Sequence, residues 1–172
     1  GRPAPLDWDE PRRVAAAVRE MNLDHAVITS VNRDEREDGG AAIFAMVIRE
    51  IRSAKPGCSV EVLIPDFKGD EVALKTVIEA GPEILGHNLE TVERLHPEVR
   101  PGGRYWRSIS YLGAVKRINP RMLTKTGLIL GMGERPEEIR QAMVDLRDAA
   151  VDILTLGQYL RPSPMHIPVV RW

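Results

Sequence analysis

The stretch MLTKTGLILGMGERPEEIRQAMVDL (122–146) contains a predicted strand, a turn and a helix in succession. Residues 122–131 are rich in Leu, Ile and Thr and too short for an ordinary helix, so they favour a buried strand. Pro136 suits the first turn of a helix, in which Ile139, Met143 and Leu146 recur at helical spacing. Glycine weakens strands and helices by about 0.5–1 kcal/mol, yet three glycines interrupt this stretch: Gly127, Gly131 and Gly133. The stretch therefore predicts a βα unit whose strand end needs glycine for a specific reason.

The rest of the chain repeats this strand–helix pattern. Short apolar runs of Val, Ile, Leu and Thr recur at 24–31, 59–65, 83–90 and 151–160. Amphipathic helices are predicted after Asp9, after the Asp-Gly-Gly at 38–40, from Asp70 and through 106–115. Strands that alternate with helices form parallel sheets covered by those helices. The chain is therefore predicted to be a single α/β domain over 1–172, a partial parallel βα barrel of about five βα units. The leading helix has no strand before it, so the first barrel strand is expected to be missing.

Composition and charge exclude several classes of protein. Of the 172 residues, 43% are hydrophobic and 28% are charged, and the formal net charge is −1. This composition is typical of a globular domain and lacks the basic surplus of a nucleic-acid-binding protein. The apolar runs are far shorter than a membrane span and no signal peptide is visible. We therefore expect a cytoplasmic protein with no nucleic-acid partner and no membrane association.

The cysteine and histidine content argues against a metal site within this chain. The one cysteine, Cys58, cannot form an internal disulfide or hold a cluster alone, and its place at the start of an apolar run predicts burial. His25, His96 and His166 share no spacing typical of metal ligands. His87 is expected to be a packed, hydrogen-bonded core histidine. No metal-binding residue is therefore predicted.

Polar or glycine-rich residues follow every predicted strand. The strand ends read TSVNRDERED (29–38), PDFKGD (65–70), HNLET (87–91), GMGE (131–134) and GQYLRPS (157–163). In parallel βα barrels, ligands bind at the carboxyl ends of the strands, so these ends predict one polar rim. Any single end has a simpler explanation, because strands end in polar loops, and the charged run 34–38 can be a solvated helix start. Asn88 and Glu90 alternate with Leu89, which predicts that both lie on one strand face, and burial of such a pair usually marks a site.

The glycines and a lysine of the opening stretch each have two interpretations. Gly127 and Gly131 lie on one face of the predicted strand, where a flat ligand can approach the backbone. The alternative is that they only permit tight packing between helix and strand. Lys125 suits a Schiff-base lysine of a different barrel chemistry, or a lysine paired with a carboxylate.

Several motifs resemble those of a known enzyme family. GLILGMGE (127–134) fits the Gly-x-Ile-x-Gly-x-x-Glu pattern that radical S-adenosylmethionine (SAM) enzymes carry on a barrel strand beside the adenine. Three further regions resemble lipoyl synthases in order and spacing: VITSVNRDEREDGGA (27–41), VLIPDFKGD (62–70) with HNLETVERLHPEVRP (87–101), and DILTLGQYLRPSPMHIPV (152–169). The resemblance covers essentially the whole chain and implies a barrel of the radical SAM type. Glu35 is a small departure, since the family usually has Asp there.

The resemblance implies a specific reaction. Lipoyl synthases insert two sulfur atoms, at C6 and C8, into an octanoyl chain attached to a lysine of a carrier protein. The implied cofactors are S-adenosylmethionine and two [4Fe–4S] clusters. One cluster, when reduced, cleaves S-adenosylmethionine to a 5′-deoxyadenosyl radical that abstracts hydrogen from C6 and C8, and the second, auxiliary cluster supplies the sulfur. The implied partners are octanoylated lipoyl carrier domains, namely the E2 subunits of 2-oxoacid dehydrogenases and the glycine cleavage H protein, together with an electron donor.

The resemblance also implies which residues bind S-adenosylmethionine. Thr29, Ser30 and Asn32, with Arg33 and Asp34 nearby, would bind its methionine end. Asn88 and Glu90 would contact the ribose and the methionyl group. Gly131 and Glu134 would shape the adenine pocket, and Gln158, Arg161, Pro162 and Ser163 would close it. Lys125 is also predicted to bind the cofactor, with no specific contact assigned to it. No catalytic residue is implied within this chain.

The chain also departs from the family pattern. The Cys-x-x-x-Cys-x-x-Cys loop, the auxiliary-cluster cysteines and the carboxyl-terminal Arg-Ser-Ser-Tyr segment are not in this sequence. Since clusters are held by cysteine thiolates, we expect an internal fragment that is inactive alone and that self-associates or folds marginally through an unpaired strand edge. Three alternatives stay open. They are another sulfur-inserting radical SAM enzyme of the biotin-synthase type, a non-catalytic scaffold that binds a carrier domain or nucleotide, and a barrel enzyme that uses Lys125.

Overall fold

A computed structural model describes residues 4–172 as two compact units. The first unit contains residues 4–86 with Ile118–Met122, and the second contains His87–Arg117 with Leu123–Trp172. In each unit, parallel strands alternate with helices, so the predicted fold class, a partial parallel βα barrel, is confirmed. The single domain over 1–172 stays a prediction. Within residues 4–172, no helix combines the length and the apolar character needed to cross a bilayer.

The first unit contains three parallel strands and three helices. Its elements are α1 (Glu10–Glu20), β1 (His25–Thr29), α2 (Ala41–Ala54), β2 (Ser59–Leu63), α3 (Glu71–Ala80) and β3 (Ile84–Gly86). β2 pairs with β1 from Ser59 to Leu63 and with β3 from Glu61 to Leu63. Side chains with no exposed surface form its core, and they come from both strands and helices: Ile48, Ile51, Val60, Val62, Leu74 and Val77. Cys58 is buried, as predicted.

Helix ends in the first unit follow from local sequence. Asp70 caps α3 with its carboxylate, which accepts the backbone N–H groups of Val72 and Ala73 at 2.8 and 3.3 Å. α3 ends at Gly81 in the left-handed conformation, which glycine adopts without a Cβ penalty. Asp38 accepts backbone N–H groups at the start of α2, from Gly40 and Ala42. Burial raises the pKa of Asp38, but these N–H groups and Arg36 outweigh burial, so the net pKa is lowered.

The second unit contains two parallel strands and three helices. Its elements are α4 (His96–Val99), α5 (Tyr105–Ile118), β4 (Leu123–Leu130), α6 (Pro136–Asp148) and β5 (Ile153–Gln158). β4 and β5 pair in register from Lys125 with Ile153 to Leu130 with Gln158. The core of this unit joins one face of β4 to the helices through apolar side chains, which include Leu89, Leu112, Leu128, Ala142 and Leu146.

The observed elements differ from the predicted ones in three places. The strand predicted at 83–90 is only three residues long, Ile84–Gly86. α4 and two short 3-10 turns, Phe67–Gly69 and Glu93–Leu95, were not predicted. Trp106, counted among the apolar positions of its helix, is 52% exposed. Its indole Nε1 donates to Glu93 at 2.7 Å, which satisfies the one polar atom of a side chain that lies on the surface.

Candidate functional site

The segment from His87 to Glu90 runs along β4 without forming a regular strand. The N–H of His87 donates to the carbonyl of Lys125 at 3.0 Å, and the N–H of Glu90 donates to the carbonyl of Gly127 at 2.9 Å. Glu90 has a positive φ of 71°, which non-glycine residues seldom adopt. The regular strand predicted through residue 90 therefore ends at Gly86, while Leu89 is buried between the partly exposed Asn88 and Glu90. That Asn88 and Glu90 share one face stays a prediction.

One buried hydroxyl group fills the gap between this segment and β4. Thr126 Oγ1 accepts the N–H of Leu89 at 3.0 Å and donates to the carbonyl of His87 at 2.8 Å. Thr126 has no exposed surface, so its hydroxyl satisfies two backbone groups that neither water nor a regular ladder would reach. His87 is a packed core histidine, as predicted, with Nε2 2.9 Å from Ser108 Oγ.

Two side chains approach the backbone of Gly127 closely. A Cβ atom at this position would lie 3.1 Å from Thr155 Oγ1 and 3.2 Å from Asn88 Oδ1. Asn88 is held in place by Arg100, whose Nη1 donates to its backbone carbonyl at 2.7 Å. Tight packing of protein groups therefore accounts for this glycine.

Gly131 is required for two reasons, its positive φ and the lack of space for a Cβ atom. Its φ is +113°, and a Cβ atom would lie 2.5 Å from Gln158 Nε2 and 2.6 Å from the carbonyl oxygen of Arg171. The carbonyl of Gly131 accepts the N–H of Val170 at 2.7 Å. The close approach to Gly131 thus comes from the segment after β5 in this structure.

Glu134 closes the turn that follows β4. Its Oε1 accepts the N–H of Gly131, and its Oε2 accepts the N–H of Met132 at 3.0 Å. One carboxylate therefore satisfies two adjacent backbone donors, an arrangement that fixes the conformation of the turn. The predicted pair of Gly131 and Glu134 is in direct contact.

Gln158 and Arg161 fix the segment after β5. Gln158 Nε2 lies within hydrogen-bond distance of the carbonyl oxygens of Arg171 and Tyr159, at 3.3 and 3.2 Å. Arg161 Nε donates to the carbonyl of His166 at 2.9 Å, and Nη2 donates to the carbonyl of Pro164. Both predicted residues therefore order the loop after β5 through its backbone.

A cavity of about 560 Å³ lies at the carboxyl ends of β4 and β5. Its apolar wall includes Ile129, Met132 and Tyr159, and its polar groups include Glu90 and Arg100. Pockets for small molecules typically measure about 300–1,000 Å³ and combine apolar walls with a few polar groups. Of the predicted residues, Glu90 and Pro162 line this cavity directly. Asn88 lies two residues before Glu90, and Gly131 and Glu134 are close in sequence to Met132 in the cavity wall.

The first unit has a smaller cavity at the carboxyl end of β1. It measures about 320 Å³, and its lining includes Thr29, Ser30 and Arg33. Thr29 Oγ1 donates to the carbonyl of Leu63 at 3.1 Å, and Ser30 Oγ donates to that of Val31 at 3.0 Å. Asn32 is exposed and does not line this cavity. The predicted residues from Thr29 to Asp34 belong to the first unit, whereas those from Asn88 to Ser163 belong to the second.

Lys125 lies far from the carboxyl end of its strand. It is five residues before Leu130, the last residue of β4, which corresponds to roughly 16 Å along a strand. Its backbone carbonyl accepts the N–H of His87. A cofactor role for Lys125 stays a prediction, and the lysine does not line the cavity at Glu90.

Two titratable groups near the cavity have shifted pKa values. Burial, and then the charge of Arg100, lower the pKa of His96, so this imidazole is neutral at physiological pH. Its ring packs edge-on against Tyr105, with ring centroids 6.1 Å apart. On α6, hydrogen bonds from Arg94 and then from the N–H of Arg135 lower the pKa of Glu138 to about 2. His96 therefore behaves as a packing residue, and Glu138 is an anion at neutral pH.

The described residues do not fit a metal centre. Across residues 4–172, no group of three or more His, Cys, Asp or Glu side chains is arranged to hold a metal ion. The one cysteine of the sequence is buried and hydrogen-bonds the carbonyl of its neighbour Ser59. An iron–sulfur cluster therefore has no ligand set in this part of the chain.

Comparison with protein families assigns the chain. The sequence profile of the radical SAM superfamily matches residues 1–146. The chain belongs to the radical SAM superfamily. This radical SAM chain is also similar, over all 172 residues, to two curated proteins named lipoyl synthase. One, from Rubrobacter xylanophilus, is 58% identical, and the other, from Koribacter versatilis, is 55% identical. The predicted family resemblance is confirmed.

The relatives are longer than this radical SAM chain. It covers 54% of the Rubrobacter protein and 57% of the Koribacter protein, so it spans about half of their length. Among solved structures, methylornithine synthase superimposes on 91% of the chain with a TM-score of 0.73 at 14% identity, and the chain covers 45% of it. Coproporphyrinogen III oxidase from Escherichia coli superimposes on 94% with a TM-score of 0.65 at 11% identity, and the chain covers 42% of it. At these identities the likeness concerns the fold alone.

Sequence reasoning missed several residues that shape the cavity at Glu90 or the segments beside it. Thr126, Arg94 and Arg100 act on the backbone of neighbouring segments, and no periodic pattern marks such contacts. Tyr159 follows β5 directly in the predicted strand end GQYLRPS, so its position on the rim could have been inferred from the sequence.

Proposed function

We propose that this chain carries the S-adenosylmethionine-binding part of a lipoyl synthase. The full reaction would insert sulfur at C6 and C8 of an octanoyl group bound to a carrier protein. The observation that carries this proposal is 58% identity over all 172 residues to a protein named lipoyl synthase. The cavity at Glu90 supports it, because a radical SAM chain needs a cavity in which its co-substrate can bind.

The cavity offers groups that suit the adenosyl end of S-adenosylmethionine. Ile129, Met132 and Tyr159 would provide apolar surface for the flat base, and the Glu90 carboxylate would accept hydrogen bonds from ribose hydroxyls. Gly131 and Glu134 would act indirectly, by fixing the turn beside Met132. With one electron from a reduced [4Fe–4S] cluster, S-adenosylmethionine would give methionine and a 5′-deoxyadenosyl radical for hydrogen abstraction. The residues here would bind and orient the co-substrate.

The remaining predicted site residues have less specific roles in this proposal. Thr29 and Ser30 line the cavity of the first unit, and a role of Thr29, Ser30 and Asn32 toward the methionine end stays a prediction. Gln158 and Arg161 would act by ordering the loop after β5. Asn88 would set the position of Glu90.

Cluster chemistry is assigned to no residue of this chain. The single cysteine cannot supply the thiolates that clusters require. We propose that the ligands of both [4Fe–4S] clusters belong to the part of the relatives that this chain does not span. Octanoylated carrier domains and an electron donor are the proposed partners of the whole enzyme, and a cytosolic location stays a prediction.

Binding of a stable co-substrate analogue tests the proposal on the chain itself. We expect S-adenosylhomocysteine to bind in isothermal titration calorimetry, and Glu90→Gln to weaken binding because an amide cannot accept as strongly as a carboxylate. Glu137→Gln is the matched control, since Glu137 is an exposed carboxylate of α6 outside the cavity. Equal weakening by both variants, or no binding to the parent chain, would contradict the proposed site.

A transplant tests the activity. Residues 1–172 would replace the matching part of the Rubrobacter relative, and the chimera would be assayed with an octanoylated carrier domain under reducing, anaerobic conditions. We expect release of 5′-deoxyadenosine and a lipoyl group on the carrier, detected by mass spectrometry. A folded chimera with full cluster content that yields neither product would overturn the proposal.

A further inference from the structure

Arg94 joins two segments that both border the cavity of the second unit. It follows the His87–Glu90 segment in the chain, and its guanidinium reaches the turn after β4. Nη2 donates to the carbonyl of Gly133 at 2.8 Å, while Nε and Nη2 donate to the Glu138 carboxylate at 2.6 and 2.9 Å. A guanidinium can make such a fork because its donors are coplanar and fixed relative to one another.

Glu138 holds the same turn from its other end. Its Oε2 accepts the backbone N–H of Arg135 at 2.8 Å, while the same carboxylate accepts from Arg94. Arg135 is the residue before α6, so this carboxylate fixes the start of the helix and the end of the turn together. The pair thus contacts the turn at Gly133 and at Arg135.

The turn has a second set of hydrogen bonds within it. Glu134 accepts the N–H groups of Gly131 and Met132, and Met132 lines the cavity. Two sets of hydrogen bonds between these segments therefore set the position of Met132 relative to Glu90. One is the backbone pairing of Glu90 with β4, and the other is the fork from Arg94.

We propose that Arg94 and Glu138 are positioning residues for this site: they hold the turn Gly131–Glu134 in place without contacting the ligand. This inference rests on the proposed function for the identity of the ligand, but the ordering of the turn can be measured without any ligand. Neither residue lines the cavity, so both act through the backbone of the turn.

The chain supplies a matched control for this arrangement. Arg52 also bridges a glycine carbonyl and a carboxylate, donating to Gly81 and to Glu83. This pair belongs to the first unit and adjoins neither cavity. Arg52→Gln therefore removes an equivalent set of guanidinium hydrogen bonds at a position away from the proposed site.

The experiment compares Arg94→Gln, Arg94→Lys, Glu138→Gln and Arg52→Gln in the full 172-residue chain. We expect Arg94→Gln and Glu138→Gln to shift the amide resonances of Gly131 and Met132 in ¹H–¹⁵N NMR spectra without ligand. Arg94→Lys should not restore them, because an ammonium lacks the fork. Affinity for S-adenosylhomocysteine should fall about tenfold in both glutamine variants, the effect of one weakened charge-assisted contact. Arg52→Gln should change neither readout, and circular dichroism at the temperature of the experiment should show that all four variants remain folded.

Each other outcome has a definite meaning. Unchanged amide resonances in the Arg94 and Glu138 variants would overturn the inference. Shifted resonances with unchanged affinity would overturn the role in ligand positioning. If the parent chain binds no S-adenosylhomocysteine, the proposed function fails, and the amide resonances alone then decide whether the pair orders the turn. If Arg94→Gln unfolds, Glu138→Gln provides the same test.

Discussion

Thr126 connects two backbone segments through a single buried hydroxyl group. Thr126→Val keeps the shape of the side chain but removes the partner of both the Leu89 N–H and the His87 carbonyl. Because both groups are buried, we expect a loss of about 1–3 kcal/mol in the free energy of unfolding. Urea denaturation measures this loss, and Thr126→Ser should recover most of it. A valine variant as stable as the parent would contradict the assigned role.

Gly131 and Gly157 differ in what a methyl group would meet. Gly131→Ala places a Cβ against the Arg171 carbonyl at a φ of +113°, whereas a Cβ at Gly157 meets nothing within 4 Å. We expect Gly131→Ala to destabilise the chain by about 2 kcal/mol or more, from backbone strain and overpacking. Gly157→Ala should cost much less. Thermal unfolding of both variants checks the contrast, and equal shifts would argue against it.

Glu138 should make the free energy of unfolding depend on pH. The hydrogen bond from Arg94 lowers its pKa from 4.5 to about 2. A carboxylate with a lowered pKa stabilises the fold above the unfolded pKa, and this contribution is lost as the pH falls from 4.5 towards 2. Carbon-detected NMR should follow this titration in the parent chain. In Arg94→Gln the Glu138 carboxyl should titrate closer to 4.5, and an unchanged titration would exclude Arg94 as the cause.

At the scale of elements, local sequence signals predicted helices better than strand ends. Asp70, Gly81 and Pro136 lie where capping rules place them, because these rules describe groups within one turn of the helix end. Local sequence signals did not predict where the strand at 83–90 ends. Its second half pairs with β4 through a threonine hydroxyl, and that partner is distant in the sequence. A pattern of alternating residues does not reveal such a partner.

The cap of α3 can be tested alone. Asp70→Ala removes the acceptor of two backbone N–H groups, and we expect a loss of about 1 kcal/mol in the free energy of unfolding. Asp70→Ser should retain most of the stability, since serine also caps helices. Chemical denaturation followed by far-ultraviolet circular dichroism measures both. If alanine and serine gave equal losses, charge rather than capping would be responsible.

At the scale of the whole molecule, the outer edge of β1 is expected to promote association. Among the described residues, β1 pairs with β2, and Val27 on β1 is 56% exposed. Unpaired strand edges promote association with other chains, and charged residues suppress it. We expect the parent chain to self-associate as its concentration rises in sedimentation velocity, and Val27→Lys to remain monomeric. Val72→Lys, at an exposed position of helix α3, is the control. A monomeric parent chain would contradict this prediction.

The sequence alone determined the order of strands and helices, the family and the motif residues at the strand ends. The strands and helices follow from periodicity and capping residues, which are local properties of the chain, and the family resemblance rests on motifs that share an order and spacing. Only the tertiary structure decided what the glycines accommodate, since Gly127 faces Asn88 and Thr155, and Gly131 faces Gln158 and Arg171. It also revealed Arg94 and Thr126, which act on backbone groups of residues far away in the sequence. Hydrogen bonds and close packing depend on distances of a few ångströms, and only folding brings such residues together.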